Sequence, residues 1–326
     1  MSSVAEIDVD SLQAEALLTD KPEALIMTYW KRLRRHRLAT ASLVLMLAMI
    51  LLVTFGPMIL GRMTYYNVSK GEYVNYDRDS QDLASRNAAP SAEHRLGTDE
   101  LGRDVLMRLL LAGRLSLTIA FTVVFVRETF GIFVGAISGY FGGTVDNLIQ
   151  RTVEFIIILP LLPLLLTLSA ILRNVNIPFL PPEWSQAVVI ILILSSLGWT
   201  GACRLARGMV LSLRNQEYTE AAKALGMSDA QIITRHMVPN SLPPIIVSAT
   251  LGLGGVILVE SALSFLGFGI QQPVATWGNI LHDVQKDMFT APWKALYPGL
   301  AIFLMTLAFN YFGDGLRDAL DPRLKL

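Results

Sequence analysis

Few residues in this sequence could do chemistry, and three of them stand where so apolar a chain should carry no charge. Arg127 and Glu128 are neighbours inside one hydrophobic block, and Glu260 lies inside another beside Ser261 and Ser264. A charge at mid-membrane costs about 2.5–3.5 kcal/mol on insertion scales, so such a group faces a partner or an aqueous path. Adjacent helical residues point about 100° apart, so Arg127 and Glu128 are not expected to satisfy each other fully. Glu260, Ser261, Ser264, Arg127 and Glu128 are therefore candidates to line a translocation path. The competing reading is structural: each charge pairs with a polar group on another helix, or a helix boundary is shifted toward an interface.

Other chemistries find no footing. Cys203 is the only cysteine, and the four histidines (His36, His94, His236, His282) show no ligand-like spacing, so no metal site is expected. The chain has no G-x-x-x-x-G-K-[ST] to cradle phosphates, no nucleophile elbow and no H-E-x-x-H. Gly252, Gly254 and Gly255 mimic a nucleotide fingerprint but sit in an apolar segment with no preceding strand, which points to helix packing. Gly131, Gly135 and Gly139, spaced by four, suit close packing of membrane helices, against a partner subunit or a neighbouring helix. No cofactor is expected in the chain, nor an enzymatic role. Zero net charge, with no basic tract interleaved with aromatics, speaks against nucleic acid.

The elements that must position these residues are membrane helices. Of 326 residues, 52% are hydrophobic and only 17% charged, with mean hydropathy +0.47, against about a quarter charged in soluble domains. A spanning helix needs about 20 mostly apolar residues. Six segments qualify, near 38–60, 115–140, 153–172, 187–204, 245–268 and 296–312. The expectation is an all-α membrane protein of six transmembrane helices. The first block is too long for a cleaved signal and lacks a small-residue cleavage site. Lys31, Arg32, Arg34, Arg35 and Arg37 precede it, and the positive-inside rule places that flank in the cytoplasm. Six spans then put both termini inside. Residues 1–37 form a cytosolic segment with an amphipathic helix, 38–60 the first span, and 61–114 an external loop. Residues 115–313 form a five-helix core containing the cytosolic loop 205–244, and 314–326 a cytosolic tail.

That cytosolic loop reads as a rigid device. Residues 217–225 are good helix formers, Gly226 can take the left-handed conformation that ends a helix, and Ser228 is an N-cap for a second helix over 229–237. Pro239 is expected to limit that second helix. Glu220-Ala221-Ala222, then Gly226, then a run to Pro239 resembles the E-A-A signature of permease subunits in prokaryotic ATP-binding-cassette importers. Four further stretches are similar to the dipeptide, oligopeptide and nickel permeases, in the C-type partner of a permease heterodimer. They are Leu96–Asp104, Gly139–Gly143 with Asp146, Glu260–Gly267 and Asn310–Pro322.

The resemblance implies partners: a second homologous permease, two ATPase subunits that bind ATP and Mg, an external substrate-binding protein, and membrane lipid. It implies that Glu220, Ala221, Ala222, Gly226, Ser228 and Asp229 couple the chain to the ATPase, in a bacterial inner membrane. Peptides are the expected cargo, with nickel or oligosaccharide as alternatives in the same class. The loops 61–114 and 269–295, the latter with Trp277 and Trp293, are the expected docking and gating surfaces. The sequence departs from the family pattern at Arg127-Glu128 and at Glu154, where an aspartate is commoner. An ion- or proton-coupled secondary transporter or channel, using Arg127, Glu128 and Glu260 as relays, is the alternative from another class.

Overall fold

A computed structural model describes residues 25–77, 80–175 and 177–320. The acidic segment before Leu25 and the tail residues after Leu320, both part of the topology reading, lie outside the described residues. Five helical runs are long and apolar enough to cross a membrane: Arg37–Leu60, Val105–Phe141, Trp184–Leu213, Asp229–Phe265 and Trp293–Leu320. A bent pair of shorter helices, Gly143–Ile158 and Leu161–Leu172, is together apolar enough for a sixth.

Helix α1 (Leu25–Arg35) leads into α2 (Arg37–Leu60), whose N-cap is His36, its Nδ1 accepting the Ala39 N–H at 3.1 Å. A short hairpin, β1 (Thr64–Asn67) against β2 (Glu72–Asn75), follows in antiparallel register with Tyr65 opposite Val74. This strand pair sits in the first long loop of an otherwise helical fold. Helix α3 (Val105–Phe141) starts ten residues earlier than hydropathy suggested, because Asp104 caps it by accepting the Met107 N–H at 2.8 Å.

The third expected span is not one helix. Helix α4 (Gly143–Ile158) and α5 (Leu161–Leu172) meet at 87°. Leu159 is extended ahead of Pro160, as the residue before a proline tends to be. Helices α6 (Pro182–Gly198) and α7 (Thr200–Leu213) are separated only at Trp199 and run on as one span. The E-A-A loop holds α8 (Glu217–Ala224) and α9 (Asp229–Ile232), then a wide helical turn, Ile233–Met237, that opens into α10 (Val238–Phe265). Pro239 therefore does not end a helix. It sits in the first turn of α10, where a missing N–H is tolerated, and the wide turn before it relieves the ring's clash with the chain behind. Helix α11 (Trp277–Asp283) and α12 (Trp293–Leu320) complete the chain, α12 running seven residues past the expected tail boundary.

The bundle centres on α3, which packs against α7, α10 and α2, with α12 joining α10 and α2. Val123, Ile119, Ile257, Leu263, Met305 and Phe309 form its interior. Phe125 and Phe130 on α3, and Leu51, Leu52 and Phe55 on α2, are exposed, as suits helices in lipid. The glycine ladder packs within the chain: a Cβ on Gly131, Gly135 or Gly139 would stand 2.5 Å from Ala202 Cβ, 2.3 Å from Cys203 O and 2.8 Å from Arg207 O. Helices α3 and α7 are thus in backbone contact along three turns.

Candidate functional site

The E-A-A loop is built as its sequence suggests, and it is clamped onto the end of α3. Gly226, at φ +79°, turns the chain between α8 and α9. Ser228 caps α9 in a reciprocal capping box with Gln231. The Tyr140 hydroxyl, one residue before the end of α3, donates to Asp229 Oδ1 at 2.7 Å, and Lys223 Nζ lies 5.2 Å from the Tyr140 ring centroid. Thr219 and Ala222 face inward, Ala222 joining Ala136, Val210, Ile232, Ile233 and Met237 in a small apolar core. Glu220, Ala221, Gly226, Ser228 and Asp229 are exposed. Tyr218 and Leu225, the latter 85% exposed, leave an apolar stripe with Ala221 at positions i, i+3 and i+7 of α8.

Behind this loop a bidentate ion pair fixes α4 to α7. Arg207 Nε and Nη2 donate to the two oxygens of Asp146 at 2.5 and 2.6 Å, and the Ser138 hydroxyl of α3 donates to the same carboxylate. Arg214 Nη1 reaches the Gly139 carbonyl at 3.2 Å. The Gly139–Gly143 stretch and Asp146 thus hold three helices at one end of the bundle.

Glu260 is enclosed, only 2% exposed, between α3, α10 and α11. Its Oε1 accepts from Ser264 Oγ at 2.8 Å and its Oε2 from Ser116 Oγ at 3.4 Å, while Ser116 Oγ accepts the Trp277 N–H at 3.2 Å. Gly278 lies flat on α10, its Cβ position 2.6 Å from Ser261 Cα. Trp277 is buried over Gly113, its Nε1 donating to Leu109 O at 3.1 Å. It is an anchor within the chain and offers no docking surface. Arg127 and Glu128 lie apart from this cluster. They touch at 3.3 Å, yet Arg127 Nε and Glu128 Oε2 have no hydrogen bond.

At the far end of α3 the Leu96–Asp104 stretch forms a tight knot. Asp99 binds Arg103 at 2.7 Å and Arg108 at 3.4 Å, and Arg103 Nη1 reaches Gln272 at 2.9 Å, tying the first long loop to the second. Gly102, at φ +71°, lies where a Cβ would be 1.8 Å from the Asp82 carbonyl.

Residues 131–326 match the family described as the binding-protein-dependent transport system inner membrane component, and residues 26–90 match the N-terminal transmembrane domain of oligopeptide transport permease C. The chain belongs to this permease family. It is 39% identical over 296 residues to the dipeptide transport system permease protein DppC of Alkalihalophilus pseudofirmus, covering 91% of this chain and 89% of that one. It is 36% identical to the oligopeptide transport system permease protein OppC of Haemophilus influenzae, covering 90% and 87%. Identity to the DppC of Bacillus subtilis is 36%, covering 91% and 85%. The chain is accordingly a multi-pass inner-membrane transport permease.

Of the residues singled out in the sequence of this permease, Glu220, Ala221, Gly226, Ser228 and Asp229 share one exposed surface with Ala222 packed beneath it, and Glu260, Ser261 and Ser264 share one interior contact. Arg127 and Glu128 join neither group. Tyr140, Lys223 and Ser116 escaped the sequence reading. Tyr140 stood in a quoted motif, but its partner lies 89 positions away. Ser116 is one hydroxyl in an apolar helix with no local signal.

Proposed function

We propose that this permease is the C-type subunit of an ATP-driven importer that moves di- or oligopeptides delivered by an external binding protein. It pairs with a second permease and with two ATPase subunits that bind ATP and Mg, and both its termini lie in the cytoplasm. The observation that carries the coupling role is the outward stripe of α8: Tyr218, Ala221 and Leu225 with Glu220 beside them, on a helix whose inner face is already packed. An exposed leucine and tyrosine on a polar loop fit an apolar groove on a partner, read as helix-in-groove docking. The peptide reading draws on the names of the relatives, and nickel and oligosaccharide fit the same architecture.

The test is recovery of partners from native membranes with tagged, detergent-solubilised chain, beside Glu220→Lys and Leu225→Asp. Wild type recovers a second permease and P-loop ATPases, whereas the variants keep the permease and lose the ATPases. Wild type that emerges alone and moves solute in proteoliposomes without ATP returns the secondary-transporter reading, with Arg127, Glu128 and Glu260 at its centre.

A further inference from the structure

Arg127 is a mid-span cation for which the chain has cleared a slot. Its side chain leaves α3 and crosses two glycines on neighbouring helices. A Cβ on Gly252 of α10 would stand 1.8 Å from Arg127 Nη2, and one on Gly198 at the end of α6 would stand 3.0 Å from Arg127 Cδ. A side chain at position 252 would displace the guanidinium from where it lies, over bare backbone.

The slot opens outward. Gly255, nearly one turn along α10 from Gly252, and Gly201, at the start of α7, have no atom within 4 Å of a notional Cβ, and both are exposed. A helix surface meant for hydrocarbon carries Leu, Ile and Phe, as α2 does here. Bare glycine backbone exposed on the two helices that flank the cation suits a wetted or ligand-bearing wall. Arg127 retains 17% exposure of its side chain.

Its charge is only half engaged. Glu128 meets the Nε edge at 3.3 Å without a hydrogen bond, and the Nη1 and Nη2 groups have no acceptor among the described residues. A guanidinium carries five N–H donors in a rigid fork, and four of them lie on the Nη pair. That edge is shaped for a carboxylate taken bidentately, and Arg–carboxylate pairs are among the stronger hydrogen-bonded contacts. A second cation along the sequence, Arg207, already has such a partner in Asp146. Arg127, near the middle of its span, still offers the edge.

We infer that Arg127, held by Glu128 in the slot over Gly198 and Gly252, is a substrate contact that takes the carboxylate of the transported solute as it passes mid-membrane. This rests on the peptide-importer reading above, since a peptide with a free C-terminus is the solute that brings such a group. Glu128 acts as a positioning residue, keeping the Nε edge occupied so that the Nη edge faces out.

The test uses the assembled complex in proteoliposomes with its binding protein and ATP. It compares a transported peptide with its C-terminal amide, each at a concentration that saturates the binding protein. Wild type is expected to move the free acid about tenfold faster than the amide. Arg127→Gln should bring that ratio to about one, and Arg127→Lys should restore part of it. A ratio unchanged from wild type in Arg127→Gln overturns the inference, however far the total rate falls, because a structural loss slows acid and amide alike. If Arg127→Gln fails to assemble, Arg127→Met, which keeps length and removes the charge, decides: a ratio equal to wild type at any rate counts against the contact. Failure of wild type to move either peptide, with binding-protein-stimulated ATPase intact, would instead sink the peptide reading itself.

Discussion

The Tyr140 hydroxyl donates to Asp229 at 2.7 Å, joining the last turn of α3 to the first residue of α9 across 89 positions of sequence. This bond, with Lys223 over the same ring, adds a polar tie to the apolar packing on Ala136 that connects the E-A-A loop to the helix on which the rest of the bundle is assembled. Any force applied to α8 reaches α3 through it as well as through α10.

Tyr140→Phe keeps the ring and removes the donor. A hydrogen bond to a carboxylate contributes about 1.5–3 kcal/mol when protected, and Asp229 is exposed, so about 1 kcal/mol is the expected loss. The loop should stay folded, held by its apolar core. Hydrogen exchange over 217–237 should quicken several-fold, and ATP hydrolysed per solute moved should rise. Equal exchange in both proteins would show that the loop is held by Ala222 and its neighbours alone.

Gly135 and Gly208 make an internal control on the same helix pair. Gly135→Ala places a methyl 2.3 Å from the Cys203 carbonyl, which is backbone and cannot swing aside, while Gly208→Ala meets nothing within 4 Å. Overpacking of this kind costs about 1–3 kcal/mol. Gly135→Ala should lower the melting temperature of the detergent-solubilised chain by several degrees, and Gly208→Ala should leave it unchanged. Similar melting of the two variants would contradict the ladder.

Glu260→Ala should act on structure before transport. It strands the hydroxyls of Ser116 and Ser264 in a dry site, and each unpaired buried polar group costs about 1–3 kcal/mol. The Trp277 N–H, bound to Ser116, is loosened with them. The expected signs are a lowered melting temperature and faster exchange across 277–287, with Glu260→Gln milder because it keeps an acceptor. Unchanged melting and exchange in Glu260→Ala would rule out this role.

Asp82 gives the first long loop a dependence on pH. Burial pushes its carboxyl up, but hydrogen bonds from Ser69 Oγ, the Val68 N–H, Ser85 Oγ and the Ser69 N–H outweigh burial and hold it down at about 2. A carboxylate held below its ordinary 3.8 stabilises the fold fully above that value, and the contribution fades as pH falls toward about 2. The difference in local exchange between wild type and Asp82→Asn over 64–85 should be constant at neutral pH and vanish near pH 2. A difference that persists there would mean that shape, not charge, holds the loop.

Much of this was legible because the signals are local. The capping box at Ser228, the turn at Gly226 and the apolar blocks each depend on residues within one or two turns, and they appear where the sequence puts them. What escaped was set by contacts at long range or by exceptions to local rules. Pro239 reads as a stop until the wide turn at Ile233–Met237 is seen to accommodate it. Pro160 does break its helix, yet the 87° angle between the two halves is not written in any local window of sequence. The four-residue glycine spacing announced close packing, but it took the Cys203 and Arg207 carbonyls, lying where a Cβ would stand, to say which helix filled it. Trp277 read as part of an external docking and gating surface, and only the missing side chain of Gly113 reveals the space it fills.

The run from Asp229 to Phe265 is 37 residues without a loop, about 55 Å at the usual rise. It begins at the Tyr140 contact and passes Gly252 under Arg127, then Glu260 at the Trp277 anchor. Under the proposed coupling role, a rod of that length needs no relay: a push on the loop at one end would arrive at the other as motion of the same body. The wide turn and then Pro239, Pro243 and Pro244 interrupt its regular hydrogen bonding near the loop end, so bending would gather there and leave the long arm straight.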